Sequence, residues 1–251
     1  MSESLDRTEV SILTAEEILA RVLHRDGLML VIDKPAGLPV HRGPKGGPNL
    51  EASFDALRFG LPRPPVLAHR LDKDTSGCLV LGRHRKATAS LGLLFKHGKI
   101  SKTYWAVVEG GPKEDHGTID MPLGRLNAER GWWQKVDPAG QSAITHWKVM
   151  GRADGLTWLA LEPITGRTHQ LRVHMAAQGW PIVGDNIYGT QASLRRLRNE
   201  KFIPHLGEAR LHLHAREIVV PISKNKEPVR VSAPAPGHMR ERLKICGWNG
   251  G

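Results

Sequence analysis

Short apolar runs, separated by glycine, proline and polar residues, recur through most of the chain and predict an architecture rich in β-strands. Residues 28–34 form such a run, which stops at Pro35 and Gly37. In residues 102–110 the side chains alternate in character with the two-residue period of a strand. The other predicted strands cover residues 66–72, 77–83, 117–124, 131–136, 142–150, 156–164, 211–220 and 227–234.

Helical signals are fewer. Thr14, with Glu17 three residues later, forms a capping-box pattern ahead of four apolar residues that would share one helix face, the last two being Val22 and Leu23. One of the later segments ends at Gly179, a residue type that commonly terminates helices. The other helices are predicted over residues 85–97, 168–179 and 192–201.

The regular spacing of the strands predicts a largely antiparallel sheet, because antiparallel strands can be joined by short turns. The fold class is therefore α+β, with a mixed, mainly antiparallel central sheet, flanking helices and loops. The pattern shows no internal repeat and no clear linker. We expect a short acidic N-terminal extension, residues 1–27, and one catalytic domain, residues 28–251.

A chain of 251 residues with 40% hydrophobic residues can bury a core of its own. It has no apolar run near the roughly 20 residues that a membrane helix needs, and its acidic start lacks the order of a secretory signal. We therefore expect a cytoplasmic protein without a membrane contact. Two cysteines, Cys78 and Cys246, could form at most one bridge, which disfavours redox chemistry and structural zinc.

The net charge of +11 lies outside residues 1–27, which hold three arginines against six carboxylates. A folded body this basic favours a polyanionic partner, with nucleic acid first. Neutralising phosphates and releasing their counterions provides affinity that does not depend on sequence. A basic protein that is merely soluble is the alternative at this point.

The segment HRLDKDTSG, residues 69–77, places Asp72 ahead of a series of turn residues. It is not a protein-kinase catalytic loop, because Leu71 separates the arginine from the aspartate and Gly77 stands where the kinase asparagine would be. At the end of a predicted strand, Asp72 could be a nucleophile or base that an arginine orients. It could equally be a turn residue that bonds the amides following it. These residues alone leave both interpretations open.

Other catalytic classes find less support. His212 and His214 would share one face of a strand, but no cysteine or carboxylate accompanies them at a zinc-ligand spacing. His169 and His174, five residues apart on a predicted helix, would point in different directions. We therefore expect no catalytic metal. A Gly-x-Ser-x-Gly elbow is absent from the sequence, and Cys78 lies in an apolar run typical of a core.

Five motifs in order resemble the RluA-type family of pseudouridine synthases. They are VIDKPAGLPVH (31–41), HRLDKDTSG (69–77), KTYWAVVEG (102–110), PITGRTHQLRVHMAAQGWPIVGDNIYG (163–189) and LHLHA (211–215). The resemblance extends over about residues 28–234. It implies an isomerase that converts uridine to pseudouridine in structured RNA, either tRNA or rRNA, without a cofactor. It also implies the pseudouridine synthase fold, with a central sheet around one catalytic cleft.

By motif position, the resemblance makes Asp72 the catalytic aspartate, Tyr104 the tyrosine beside the base, and Arg172 the basic partner of the aspartate. Leu171 would line the base pocket. An arginine at ion-pair distance favours the charged carboxylate that a nucleophile requires. A tyrosine offers the uracil a ring face and a hydroxyl near C5, from which a proton must leave. A target base within a helix must first be flipped out, at a cost of a few kcal/mol.

The same motifs contain His69, Arg70 and Arg167, which would contact phosphates or fill the space that the flipped base leaves. Many relatives carry an S4-type RNA-binding domain before the catalytic part, whereas fewer than thirty residues precede residue 28 here. We expect that domain to be absent, so that RNA contacts come from the catalytic body. The candidates are residues 41–45, Trp132, Trp133, Arg195, Arg196 and Arg198.

One departure from the family pattern is Gln141, which stands where relatives often have a lysine and so removes one phosphate contact. We expect the chain to act as a monomer on RNA. A catalytically silent RNA-binding protein of the same fold is the second hypothesis. A metal-dependent nuclease is the third, and the missing carboxylate cluster disfavours it.

Overall fold

The computed structural model describes residues 12–43, 46–127, 132–193, 202–203, 207–208, 210–223 and 225–250. Four helices lie entirely within this part of the chain, α1 (Ala15–Leu19), α2 (Arg85–Lys96), α3 (Gln170–Ala177) and α4 (Gly237–Ile245), and a 3-10 helix covers Leu50–Leu57. The strands are β1 (Val22–Arg25), β2 (Met29–Lys34), β3 (Val66–Leu67), β4 (Ser76–Gly82), β5 (Ser101–Glu109), β6 (His116–Asp120), β7 (Leu123–Arg125), β8 (Gln134–Val136), β9 (Ile144–Ala153), β10 (Leu156–Pro163), β11 (Phe202–Ile203), β12 (Gly207–Glu208), β13 (Leu213–Val220) and β14 (Val229–Ser232).

Ten of these strands form one sheet. Its order is β1-β2-β4-β13-β5-β10-β9-β6, with β14 also paired to β13 and β3 to β4. The pairing of β4 with β13 is parallel, and the other described pairs of this sheet are antiparallel. The prediction of a mixed, mainly antiparallel α+β fold is therefore confirmed.

The centre of the sheet is packed on both faces. Side chains of β5 alternate, so that Ala106 and Val108 join a core cluster with Leu171 of α3. Val107 points the other way and packs with Met239 of α4. Strands β2 and β4 are almost entirely buried, which explains why their sequences are apolar without alternation. The sheet is thus the middle layer between α3 on one face and α4 on the other.

Gly77 lies where β4 meets β13 and has a φ of 104°, a conformation that favours glycine. A Cβ at this position would overlap the backbone carbonyl of Ala215, its partner in the parallel pairing. The glycine therefore permits the close approach that brings the segment 69–76 to the middle of the sheet.

The N-terminal boundary differs from the prediction. The capping box of Thr14 and Glu17 is present, but α1 ends at Leu19, and Val22 and Leu23 belong to β1. Because β1 pairs with β2 in the main sheet, the division between residues 27 and 28 does not separate an extension from the domain. Ile18 is fully buried in the same core as β2. Residues 22–25 form a strand in spite of their helical pattern, because pairing with β2 provides partners for their backbone hydrogen-bonding groups.

Two other predicted elements were wrong in extent. The strand predicted over residues 66–72 is only Val66–Leu67, so Asp72 lies in a loop and not at a strand end. The run 117–124 is divided between β6, which pairs with β9, and β7, which forms a separate hairpin with β8. No helix in the described part of the chain is long and apolar enough to cross a bilayer.

Candidate active site

A cavity of about 780 Å³ opens beside the centre of the sheet. One wall is the loop of residues 68–75, the floor is the first half of β5, and the opposite wall is the segment from the end of β10 into α3. All seven residues predicted for the site line this cavity: His69, Arg70, Asp72, Tyr104, Arg167, Leu171 and Arg172. The fold therefore brings together residues as far apart in the sequence as His69 and Arg172.

Asp72 is held in a turn on the cavity wall. Its backbone carbonyl accepts the N–H of Thr75 at 3.2 Å, and its side chain remains 22% exposed. Thr75 and Ser76, which lead into β4, are buried. Both interpretations of the sequence are therefore compatible: the residue belongs to a turn, and the turn presents its carboxylate to a cavity.

Lys34, at the end of β2, is fully buried next to this turn. Its ammonium donates to three backbone carbonyl oxygens at 2.8 Å each, two of them in the turn itself, at Lys73 and Thr75. Burial lowers the pKa of Lys34 to about 7, and the carboxylates of Asp74 and Asp72 oppose this shift. Because an ammonium has three donors, the charged form satisfies all three carbonyls. Lys34 thus braces the turn that presents Asp72.

Tyr104 and Leu171 form the apolar part of the cavity. Tyr104 lies in the middle of β5, opposite Ala215 of β13 and Leu161 of β10, and this pairing on both sides fixes its position. Burial, reinforced by the charge of Asp72, raises the pKa of Tyr104 well above its ordinary value. The side chain is therefore a neutral phenol at physiological pH, able to offer its ring and a hydrogen-bond donor.

The predicted pairing of Arg172 with Asp72 is not the contact that the structure contains. Arg172 is 3% exposed, and it donates from Nε and Nη2 to the two carboxylate oxygens of Asp185, each at 2.8 Å. Asp185 is itself fixed by the backbone N–H groups of Ile187 and Tyr188. The bidentate geometry suits a planar guanidinium, which explains why the arginine pairs with this more buried carboxylate. Arg172 still lines the cavity and attracts Asp72 through space.

His169 lies between Arg172 and Asp72. Its Nε2 is 3.4 Å from Nη1 of Arg172 and 3.8 Å from Oδ2 of Asp72, and its Nδ1 is 2.8 Å from the hydroxyl of Tyr188. Burial lowers the pKa of His169, while Asp72 opposes and Arg172 reinforces that shift. Since arginine can only donate, its contact requires an unprotonated Nε2 and places the proton on Nδ1, towards Tyr188. The neutral imidazole of His169 thus lies between the two side chains, and its contact with Arg172 fixes the ring next to the carboxylate of Asp72.

The backbone of His169 has a φ of 55°, which is uncommon outside glycine. For this reason α3 begins at Gln170 and not at residue 168. Gln170 ties the preceding loop to β9 by donating to the carbonyl of Ile144 and accepting the backbone N–H of Arg167. Such a conformation costs about 1–2 kcal/mol and persists only where the surroundings fix it.

Three of the predicted substrate contacts differ in character. The ring of His69 stacks on Phe95 with centroids 4.2 Å apart, and its Nε2 accepts the N–H of Val80 at 3.0 Å. Burial lowers the pKa of His69 to about 3, so the ring is neutral and packs the loop, while a contact with RNA at this position stays a prediction. Arg70 and Arg167 are exposed on the cavity rim, where a phosphate contact stays a prediction.

The remaining sequence candidates are dispersed. His41 lies against Glu51, with Nδ1 2.7 Å from its carboxylate, while Lys45, Arg195, Arg196 and Arg198 lie outside the described residues. Trp132 is 57% exposed and close to His169. Burial raises the pKa of Cys78 to about 12, as expected for a core thiol.

The paired histidines have protein partners. Nδ1 of His214 lies 2.9 Å from the hydroxyl of Ser76, and Nε2 of His212 lies 3.0 Å from Nη1 of Arg242. Both histidines are fully buried. His214 connects β13 to β4, and His212, directly before β13, contacts α4, so both support the sheet beside the cavity.

Sequence reasoning missed the roles of Lys34, His169, Asp185, Tyr188 and Lys102. Lys102, on β5, lines the cavity, and burial lowers its pKa. A signal was present, because all five lie within the motifs VIDKPAGLPVH, KTYWAVVEG and GRTHQLR…VGDNIYG in unusual positions for a charge or a polar ring. The spacing of residues in the sequence did not indicate which carboxylate would form the ion pair with Arg172.

Known proteins resemble this chain over most of its length. The family described as RNA pseudouridylate synthase matches residues 28–177. An uncharacterized RNA pseudouridine synthase of Zymomonas mobilis is 41% identical over 218 residues, which cover 86% of this chain and 94% of that protein. The ribosomal large subunit pseudouridine synthase D of Xanthomonas campestris is 40% identical over 237 residues, covering 91% of this chain and 70% of the relative.

A solved structure agrees with the sequence comparisons. Human RNA pseudouridylate synthase domain containing 4 aligns with a TM-score of 0.73 and 28% identity, covering 92% of this chain and 95% of that chain. The matched span 28–177 includes Asp72, Tyr104 and Arg172. The sheet, the cavity and these likenesses agree with the family that the motifs indicated. This chain belongs to the RNA pseudouridine synthases of the RluA type, isomerases that convert uridine to pseudouridine within RNA.

Proposed function

We propose that Asp72 is the catalytic carboxylate of this isomerase and that a flipped uridine of RNA enters the cavity described above. The observation that carries the proposal is the position of Asp72: its carboxylate faces the cavity that also exposes Tyr104, while its turn is locked by Lys34. Positive groups on two sides, Lys34 and Arg172, suit a carboxylate that must act in its charged form.

The size and lining of the cavity support a single flipped nucleotide. Its volume of about 780 Å³ falls within the range of small-molecule sites, roughly 300–1,000 Å³. Tyr104 and Leu171 give the uracil an apolar surface and a ring face. Lys102 lies within the cavity and Arg70 and Arg167 on its rim, where they suit the phosphates on either side of the flipped nucleotide.

The reaction conserves atoms. The bond from N1 of uracil to C1′ of ribose breaks, a bond from C5 to C1′ forms, the proton on C5 leaves, and N1 gains a proton. Asp72 assists the cleavage step as a carboxylate, as the acids of covalent glycosidases do. Tyr104, as a neutral phenol, holds the uracil and directs its hydroxyl at the ring.

Large-subunit ribosomal RNA is the substrate class that we propose to test first. The relative from Xanthomonas campestris carries that substrate in its name. Transfer RNA is the second class, since a cavity that holds one nucleotide does not by itself distinguish transfer RNA from ribosomal RNA. We further propose that the chain works as a monomer in the cytoplasm, because the described cavity is complete within one chain. Sedimentation equilibrium with and without RNA measures the first of these properties.

The decisive experiment uses RNA tritiated at uridine C5, because isomerisation releases that label to water. Wild-type protein should release tritium from ribosomal RNA, and Asp72→Asn should lose at least a thousandfold of the rate while binding RNA as before. Asp74→Asn, an equivalent change two residues away in the same turn, is the matched control and should stay active.

Three outcomes would contradict the proposal in different ways. Full activity of Asp72→Asn would remove Asp72 from the chemistry. Binding without any tritium release from ribosomal or transfer RNA would favour the catalytically silent RNA-binding protein. Shortened RNA and inhibition by a chelator would favour a nuclease.

A further inference from the structure

A second cavity of about 530 Å³ lies next to the candidate active site. Arg70, Gly166 and Arg167 line both cavities, so the two are adjacent. The far wall of the second cavity comes from the β7–β8 hairpin, with Arg125 and Trp132. A chain of nucleotides that occupies the first cavity can therefore extend into the second.

The indole of Trp132 has the properties of a stacking surface. The residue is 57% exposed, although burying a tryptophan side chain is ordinarily favourable. Its two ring contacts are nearly perpendicular, at 88° to His169 and 81° to Trp133, with centroids 5.5 and 5.6 Å away. Neither neighbour is stacked in parallel on the indole, which leaves ring surface available to a base.

The charges of the second cavity suit a phosphate backbone. Three of its described lining residues are arginines, Arg70, Arg125 and Arg167, and no aspartate or glutamate is among the described lining residues. Within the described residues, the guanidinium groups of Arg70 and Arg125 make no hydrogen bond or ion pair. Neighbouring apolar side chains of the hairpin, Leu126 and Val136, are also exposed, at 39% and 37%. Aromatic and cationic groups that alternate along a groove are the arrangement by which proteins hold single-stranded nucleic acid.

We propose that this second cavity binds an unpaired nucleotide next to the target uridine, with its base stacked on Trp132 and its phosphate held by Arg125. This proposal rests on the proposed function only in taking the nucleotide in the first cavity to be the target uridine. The ring of His169 packs edge-on against the indole, and its Nε2 lies 3.8 Å from the carboxylate of Asp72. A nucleotide in the second cavity would therefore lie next to the catalytic centre. The site requires the RNA to be unstacked over at least two adjacent nucleotides.

The test measures binding and needs no turnover. Two fluorescein-labelled RNA hexamers are compared by anisotropy in the Asp72→Asn background: oligouridylate, and a hexamer of the same length that has ribose and phosphate but no bases. Trp132→Ala should weaken oligouridylate binding by about 5- to 150-fold, the range for loss of one base stacked on an aromatic ring. It should leave the abasic hexamer unchanged, and Trp132→Phe should restore most of the oligouridylate affinity.

A substitution of Arg125 tests the phosphate contact separately from the base contact. Arg125→Gln should weaken both hexamers alike and reduce the slope of log affinity against log salt by about 0.7. Lys113→Gln, an exposed cation in the loop between β5 and β6, and Leu93→Ala, an apolar residue 56% exposed on α2, are the matched controls and should change neither.

The proposal is overturned if Trp132→Ala leaves oligouridylate affinity unchanged, or if it weakens both hexamers equally. Failure of the proposed function would be seen separately, as absence of tritium release from wild-type protein whose hexamer binding still depends on Trp132.

Discussion

The ion pair of Arg172 with Asp185 allows the structural and catalytic contributions of this arginine to be separated. The substitution Asp185→Asn keeps the shape of the side chain and a carbonyl oxygen that can accept the N–H groups of Ile187 and Tyr188. It removes the charge that compensates the buried guanidinium. The change therefore isolates the ion pair from the local hydrogen bonds of the loop.

The expected loss of stability is large because water screens this pair poorly. The side chains of Arg172 and Asp185 are 3% and 1% exposed. Removing one partner of a buried ion pair costs about 3–5 kcal/mol. In a domain of this size, 1 kcal/mol shifts Tm by about 2–4 °C, so Tm should fall by about 6–20 °C. In the exposed pair of Lys244 with Glu241, whose side chains are 57% and 51% exposed, Glu241→Gln should cost less than about 1 kcal/mol.

The assay combines thermal unfolding, followed by tryptophan fluorescence, with tritium release measured well below both transitions. Asp185→Asn should lose activity as well as stability, because Arg172 then no longer anchors the ring of His169 beside Asp72. The double variant Arg172→Met with Asp185→Asn should recover most of the stability, since no buried charge is left without a partner and the amide oxygen still accepts the N–H groups of Ile187 and Tyr188. It should stay impaired in turnover, because the positive charge near Asp72 is gone.

Two results would refute this reasoning. A Tm shift in Asp185→Asn no greater than that in Glu241→Gln would show that the buried pair is not the stabilising contact. Wild-type activity in the double variant would show that Arg172 serves the fold alone.

Further predictions concern the turn, the tyrosine and acid stability. Lys34→Met removes a donor from three carbonyls, and although that of Lys73 keeps the N–H of Gly37, those of Pro35 and Thr75 lose the donor described for them. Stability should therefore fall by about 2–4 kcal/mol and kcat should drop more than KM rises; a folded variant with wild-type kcat would contradict the bracing role. Tyr104→Phe keeps the ring, so RNA affinity in a filter-binding assay should persist while tritium release slows by about 10²–10⁴-fold; an unchanged rate would exclude a chemical role for the hydroxyl. Because its pKa is raised, Tyr104 should also add no inflection to the wild-type pH–rate profile below pH 10. The pKa of His69 is about 3 in the folded chain and about 6.5 when unfolded, so its contribution to stability is complete above pH 6.5 and is lost as the pH falls towards 3. The free energy of unfolding measured by urea denaturation should decline over that window by up to about 1.4 kcal/mol per pH unit, and less steeply in His69→Gln, whose amide oxygen can accept from Val80; equal slopes would contradict the assignment.

Much of the fold could be predicted because its signals are local. The alternation in β5 and the apolar runs of β2 and β4 identified strands, since side-chain period and β-propensity are properties of neighbouring residues. The capping box at Thr14 was also correct. Predictions failed where a distant partner competed with the local pattern, as when β2 recruited residues 22–25 into the sheet.

The residues predicted for the site line one cavity, but the contacts predicted between them differ from those in the structure. Asp72, Tyr104 and Arg172 do line one cavity, which the motif resemblance implied and periodicity did not. The partner of Arg172 was wrong because charge and spacing allow several acids, and burial and bidentate geometry select Asp185. The positive φ of His169, likewise, depends on contacts made by its ring, which no local pattern records.

The sequence by itself determined which segments become strands and helices, the basic charge of the body and, through its motifs, the family. Only the tertiary structure decided what each polar side chain touches. A buried lysine holds the turn of Asp72, and a neutral histidine separates that carboxylate from the arginine, because in a packed interior every charged or polar group must find a partner within hydrogen-bond distance. Those partners lie 39 to 97 positions apart along the chain, and the order of the strands in the sheet brings them together.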